Sequence, residues 1–150
     1  MKIWFDMDGT IADLYGVADW LNDLISENPR PYQIAKPMLN LNTLARLLNH
    51  LQKQGFEIGI ISWLSKNGSP EYNQKVTRVK QKWLKKHLHS VHWDNIHIVQ
   101  YGTNKLQICQ EGILFDDEIN NRLTWGDGAY TPDNIIPVLK NLTKQAAIAA

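Results

Sequence analysis

The chain has one cysteine, Cys109, in 150 residues. A single thiol excludes an internal disulfide and a cysteine-based zinc cluster, and it fits a reducing, cytoplasmic setting. Charge of one sign is not in excess either: 16 Lys and Arg stand against 15 Asp and Glu, a formal net charge of +1. No global field then draws the protein toward nucleic acid or an anionic membrane. No apolar run approaches the roughly 20 residues that cross a bilayer. The N-terminus is strand-like and acidic by Asp6, so it does not read as a signal peptide. Internal repeats are absent, and biased composition is confined to Gln145–Ala150, which reads as the fraying end of a helix. What is present is 43% hydrophobic and 21% charged sequence, enough for one domain with a real core. Six tryptophans are many for this length.

The informative stretch is Lys2-Ile3-Trp4-Phe5-Asp6-Met7-Asp8-Gly9-Thr10. Ile3, Trp4 and Phe5 are apolar and β-favouring and predict a short buried strand. Asp6 and Asp8 follow at once. Unpaired carboxylates at the end of a buried strand are expensive, so something must neutralise them. One reading is local: Asp and Gly are common turn residues. The other is a divalent metal. Hard oxygen ligands on a short loop suit Mg²⁺, which takes one or two carboxylates and leaves its other positions to water and phosphate.

Down the chain, strands and helices alternate. Leu14, Val17, Ala18, Leu21, Leu24 and Ile25 recur at helical spacing and predict a helix over about Leu14–Ser26, stopped by Asn28-Pro29-Arg30-Pro31. Helix is predicted for Asn42–Gln54, Glu71–His89, Ile119–Thr124 and Asn134–Leu142. Strands are predicted for Phe56–Ile61, Ile96–Gln100 and Gly112–Phe115, with a short edge strand within Trp125–Tyr130. This alternation predicts an α/β fold with a parallel sheet and right-handed crossovers, whose ligands bind at the carboxyl ends of the strands. On the helix from Glu71, Val76, Val79, Trp83 and Leu84 form the inner face. Lys75, Arg78, Lys80, Lys82, Lys85 and Lys86 read as a solvated outer face, with a nucleic-acid surface as the alternative. His87, His89, His92 and His97 meet no zinc-ligand spacing, and Cys109 reads as a small buried side chain.

Polar residues stand at or just beyond each strand end: Asp6 and Asp8, Ser62, Lys105, and Asp116 with Asp117. Taken singly, Ser62 is an ordinary strand end, Lys105 a surface lysine, and Asp116-Asp117 a helix cap. Together they are the set that phosphoryl transfer requires: a nucleophile, a metal site and donors that grip the transferring group.

In order and spacing these residues resemble the four motifs of the haloacid dehalogenase (HAD) superfamily of phosphotransferases, across nearly the whole chain. The resemblance implies a three-layer Rossmann-like (HAD-like) fold and a Mg²⁺-dependent phosphohydrolase. It makes Asp6 the nucleophile that forms an aspartyl-phosphate and Asp8 the general acid/base, with the Asp8 backbone carbonyl as a metal ligand. It places Ser62 and Lys105 on the phosphate, with Trp63, Thr10 and the backbone N–H groups of Met7 and Asp8 beside it. Thr10 reads as positioning Asp8 or as a turn residue. Asp117 is the direct metal ligand and Asp116 a ligand through water. The segment 13–40 falls where that superfamily inserts a cap, and it is long enough only for a minimal helical one within a single domain, 1–150. Phe5-Asp6-Met7-Asp8-Gly9-Thr10-Ile11-Ala12-Asp13-Leu14, Thr103-Asn104-Lys105 and Leu114-Phe115-Asp116-Asp117 are most similar to small 5'(3')-deoxyribonucleotidase-like members. The implied partner is a small phosphorylated substrate, a nucleotide first. Tyr15 and Trp63 are expected in its wall, and Trp20, Tyr32 and Arg30 are further candidates. A reduced cap leaves the site open, which suits a polymer-borne phosphate or closure by a second copy of the chain.

Overall fold

The apolar tripeptide near the N-terminus becomes the middle of a sheet. The computed structural model describes residues 1–149. Its first half runs β1 (Lys2–Phe5), β2 (Ala12–Asp13), α1 (Trp20–Ile25), α2 (Arg30–Ile34), β3 (Lys36–Pro37), α3 (Leu41–Lys53) and β4 (Glu57–Trp63). Its second half runs α4 (Pro70–His87), β5 (Asn95–Val99), α5 (Lys105–Ile108), β6 (Ile113–Phe115), α6 (Ile119–Trp125), β7 (Ala129–Tyr130) and α7 (Ile135–Ala149). Five strands form one parallel sheet in the order β5-β4-β1-β6-β7. The chain steps outward from β1 through β4 to β5, then crosses back to β6 on the other side of β1. That reversal puts a crevice at the carboxyl end of β1, where open α/β sheets bind ligands.

Alternation along β1 fixes what each face covers. Ile3 and Phe5 join Ile58 and Ile60 of β4 in the larger core, filled by Leu44, Leu48 and Leu51 of α3, Trp83 and Leu84 of α4, and Ile135 and Leu139 of α7. Trp4 faces the other way, with Ile61, Cys109, Leu114 and Trp125. Its indole lies across Gly59 so closely that no Cβ could stand there. This is why a strand otherwise rich in isoleucine carries a glycine at its centre. Cys109 is buried, and burial pushes its thiol up to about 11. Asn40, Ser69, Asn104 and Glu118 each accept a backbone N–H at the start of a helix.

Two expectations need correction. The helix over Leu14–Ser26 shrinks to α1. Gly16 donates its N–H to Asp13 Oδ1 at 3.0 Å, a side-chain-capped turn, and Asp19 sits at φ 63°, so the helix starts only at Trp20. The segment 13–40 instead packs two short helices beside a two-stranded antiparallel ribbon of β2 and β3. The apolar residues read as one helix face (Leu14, Leu21, Leu24 and Ile25) line a cavity. Second, the outer face of α4 is solvated except at Lys80. That residue is 1% exposed and belongs to the inner face. No helix is long and apolar enough to cross a membrane.

Candidate active site

Beyond Phe5 the backbone leaves the sheet in a tight loop. The N–H groups of Thr10, Ile11 and Ala12 all converge on the carbonyl of Met7. Gly9 sits at φ +78°, and a side chain there would run into the Asp117 carboxylate, so only glycine lets the loops after β1 and β6 approach. Among the described residues, the backbone N–H groups of Met7 and Asp8 meet no acceptor, and the Asp8 carbonyl meets no donor. Two free donors and a free carbonyl at a strand end are what an anion and a cation, respectively, can use.

Lys105, at the first turn of α5, is buried against this loop. Its Nζ donates to Asp6 Oδ1 at 3.0 Å and to Asp116 Oδ2 at 2.6 Å. It also lies 5.6 Å from the Trp63 ring centroid. Burial works to lower its pKa, but Asp6 and Asp116 outweigh burial and the ammonium ends above its ordinary value. Lys105 thus meets both Asp6 and Asp116 directly. Asn104 caps the helix that carries the lysine, and the Thr103 carbonyl accepts the Trp63 indole N–H at 2.9 Å.

Asp6, Asp116 and Asp117 each present a carboxylate oxygen, all within 4.8 Å of one another. Burial raises the Asp116 carboxyl, aided by Asp6 and opposed by Lys105, to about 6. Burial and Asp6 raise Asp117 to about 7. The crowding is thus only partly relieved by Lys105. The donor set is all oxygen and the Asp8 carbonyl is free, which fits a hard divalent cation. Asp116 has both oxygens engaged: Oδ2 by Lys105 and by Asn121 Nδ2 at 3.1 Å, Oδ1 by the Glu118 N–H at 2.9 Å. Asp117 is exposed and takes one side-chain hydrogen bond, from Thr10 at 3.2 Å, so it has the oxygen to spare for direct ligation.

A pH dependence follows. The raised carboxyls bind protons more tightly in the folded protein than in the unfolded chain, where they titrate near 4. Their stabilising share is full below about pH 4 and is lost by about pH 7. The metal-free protein should therefore melt at a lower temperature at pH 8 than at pH 5. Mg²⁺ should raise the melting temperature at pH 8 and much less at pH 5, where protons hold the ligands. Calorimetry with and without Mg²⁺ checks both.

Several expected residues sit elsewhere. Thr10 is 1% exposed, and its hydroxyl is shared between Asp6 Oδ2 and Asp117 Oδ1, each at 3.2 Å. It also accepts the Asp117 N–H. It therefore ties the β1 and β6 loops together and positions Asp6 and Asp117 rather than Asp8. Ser62 is fully buried, its hydroxyl accepts from Lys80 at 2.8 Å, and it does not line the cavity. Trp63 spends its indole N–H on Thr103, and its ring lines the cavity. Arg30 pairs with Asp23 at 2.7 Å and stays out of the wall.

The cavity, about 430 Å³, opens over Asp6, Asp8, Lys105, Asp116 and Asp117. Tyr15 and Trp20 stand in it edge to face at 4.9 Å, and Trp63 and Tyr101 at the same separation. Tyr32 also lines the cavity, with its hydroxyl 2.6 Å from Ser65 Oγ. Sequence reasoning missed Lys80, Ser65 and Asn121. Lys80 alone left a signal, since it follows Val76 by four residues and precedes Leu84 by four, along the buried stripe. Among the described residues the histidines form no metal cluster.

No protein-family model and no curated protein sequence matches the chain. Solved structures do. The D,D-heptose 1,7-bisphosphate phosphatase from Burkholderia thailandensis superposes with TM-score 0.54 at 10% identity, over 94% of this chain and 97% of that one. The D,D-heptose 1,7-bisphosphate phosphatase from B. bronchiseptica, complexed with magnesium and phosphate, gives 0.53 at 12% identity, over 97% and 99%. At such identity the likeness establishes the fold: an HAD-like α/β sheet.

Proposed function

We propose that the protein is a Mg²⁺-dependent phosphohydrolase that acts on a small phosphomonoester through an aspartyl-phosphate on Asp6. The observation that carries this reading is the meeting of Asp6, Asp116 and Asp117 within 4.8 Å, with Lys105 bridging two of them, at the floor of a cavity. The shared fold with two phosphatases, one holding magnesium and phosphate, supports it.

Lys105 holds Asp6 through Oδ1 and stands ready for a phosphoryl oxygen. The N–H groups of Met7 and Asp8 supply further donors. Mg²⁺ held by Asp6, Asp117 and the Asp8 carbonyl, with Asp116 acting through water, would neutralise phosphate oxygens. The Asp6 carboxylate attacks phosphorus. The ester P–O bond breaks with its electron pair on the leaving oxygen, which takes a proton from Asp8. Asp8, now a carboxylate, draws a proton from water as the water oxygen attacks the same phosphorus. The Asp6–phosphorus bond breaks, and inorganic phosphate and the Asp6 carboxylate are released. Electrostatic grip supplies the largest share of the rate.

For the substrate, two aromatic pairs favour an ester with a flat or apolar body, a nucleotide among them, and the sugar-bisphosphate neighbours keep sugar phosphates in view. A nucleic-acid-end phosphatase fits less well. α4 starts just after β4 and ends before β5, and none of Lys82, Lys85 and Lys86 lines the cavity. Nucleoside monophosphates, sugar phosphates and 3'- or 5'-phosphorylated oligonucleotides should be screened with Mg²⁺ and with chelator. Mg²⁺-dependent phosphate release from a small ester is expected. Release from none, or release untouched by chelation, would overturn the reading.

A further inference from the structure

Lys80 lies outside the four strand-end groups, and it is as enclosed as Lys105. Burying an ammonium costs several kcal/mol unless its protons find acceptors. Here three are available: Asp8 Oδ2 at 2.7 Å, Ser62 Oγ at 2.8 Å and the Trp63 carbonyl at 2.7 Å. The Tyr32 ring lies beside it, 5.0 Å from Nζ to the centroid. A tetrahedral donor with every proton committed has one orientation. It joins α4, the end of β4 and the loop after β1, and of the groups that accept its protons only the Asp8 carboxylate belongs to a side chain that borders the cavity: Ser62 does not line it, and Trp63 is held through its backbone carbonyl. The consequence falls on Asp8. One carboxylate oxygen is taken, and the other, Oδ1, has no partner among the described residues.

We propose that Lys80 is a positioning residue for the acid–base step: gripping Oδ2, it fixes the Asp8 carboxyl so that Oδ1 gives up and regains the proton. Ser62 is then a strut for Lys80. This rests on the phosphohydrolase reading and goes beyond it. A lysine that merely packed α4 against β4 would touch binding and chemistry alike. One that acts through Asp8 touches only steps in which Asp8 moves a proton.

The test is a cycle of Lys80→Met, Asp8→Asn and the double variant, with an alkyl phosphomonoester and with dinitrophenyl phosphate, whose leaving group needs no proton. Lys80→Met should lower kcat on the alkyl ester by about 30- to 100-fold, with KM held within about threefold. With dinitrophenyl phosphate its first turnover should be fast, followed by slow turnover as the water step lags. In the Asp8→Asn background the added Lys80→Met should cost less than about threefold. Equal losses in both backgrounds, or on both esters in the first turnover, would overturn the proposal. So would wild-type turnover left unchanged by Lys80→Met. An inert wild type would instead overturn the phosphohydrolase reading, and this inference with it. Should Lys80→Met not fold, the ammonium ¹⁵N resonance of Lys80 decides. It should exchange slowly with water and shift in Asp8→Asn; a signal averaged with the exposed lysines contradicts the contact.

Discussion

Asp6→Asn is expected to lower turnover by roughly 10⁴-fold or more while leaving the protein folded. An amide is a poor nucleophile toward phosphorus, so the covalent step is lost. Its carbonyl oxygen can take the place of Oδ1 and accept from Lys105, while its amide N–H, in the place of Oδ2, donates to the Thr10 hydroxyl; these are the two side chains that hold Asp6 in the structure. Removing one charge also eases the carboxylate crowding that raises Asp116 and Asp117. At pH 8 the variant should therefore melt no lower than the parent without metal, and Mg²⁺ should stabilise it less. Phosphate release together with thermal melts reads both. Activity retained in Asp6→Asn would rule out the mechanism. A module that only senses phosphate would show no turnover to lose, and that is how this measurement separates the two classes.

Lys105→Met should be the most destabilising single change at the site. It removes the cation from between Asp6 and Asp116, both buried. Breaking a buried pair from one side costs about 3–5 kcal/mol, because the remaining charges are left uncompensated. The loss should be largest at pH 8. It should shrink toward pH 5, because Asp116 titrates near 6 even beside the lysine and takes up its proton more readily without it. Denaturant unfolding at the two pH values measures this. A cost below about 1 kcal/mol at pH 8, or one that ignores pH, would contradict the place given to Lys105. Turnover should fall as well, since Asp6 loses its orienting partner and the phosphate a donor.

How much of this could be read from the sequence depended on the kind of signal. The central strand was legible because Ile3, Trp4 and Phe5 have nothing polar among them and two carboxylates mark their end. α3 was legible because Leu44, Leu47, Leu48 and Leu51 keep helical spacing. The acidic cluster was legible through the resemblance, which groups Asp6 with Asp116 and Asp117; that β1 and β6 are neighbours is what brings them together. The helix over Leu14–Ser26 was misread for a physical reason. Its apolar residues do keep helical spacing, but a turn capped by Asp13 and a left-handed Asp19 break the helix, and Leu14, Leu21, Leu24 and Ile25 wall a cavity. Lys80 was misplaced because residue type outweighed position, although Val76 and Leu84 marked the stripe it stands on. Ser62 could be located at a strand end, but nothing in the sequence says that a lysine from the next helix meets its hydroxyl.

The stereochemical course at phosphorus tests the central claim most directly. A phosphorothioate ester made chiral at phosphorus with ¹⁶O and ¹⁸O is hydrolysed in ¹⁷O water, and the configuration of the released inorganic thiophosphate is determined. Attack by Asp6 followed by attack of water is two in-line displacements, so the configuration should be retained. Inversion would mean that water attacks the ester in a single step, and Asp6 would then hold metal without ever carrying the phosphoryl group.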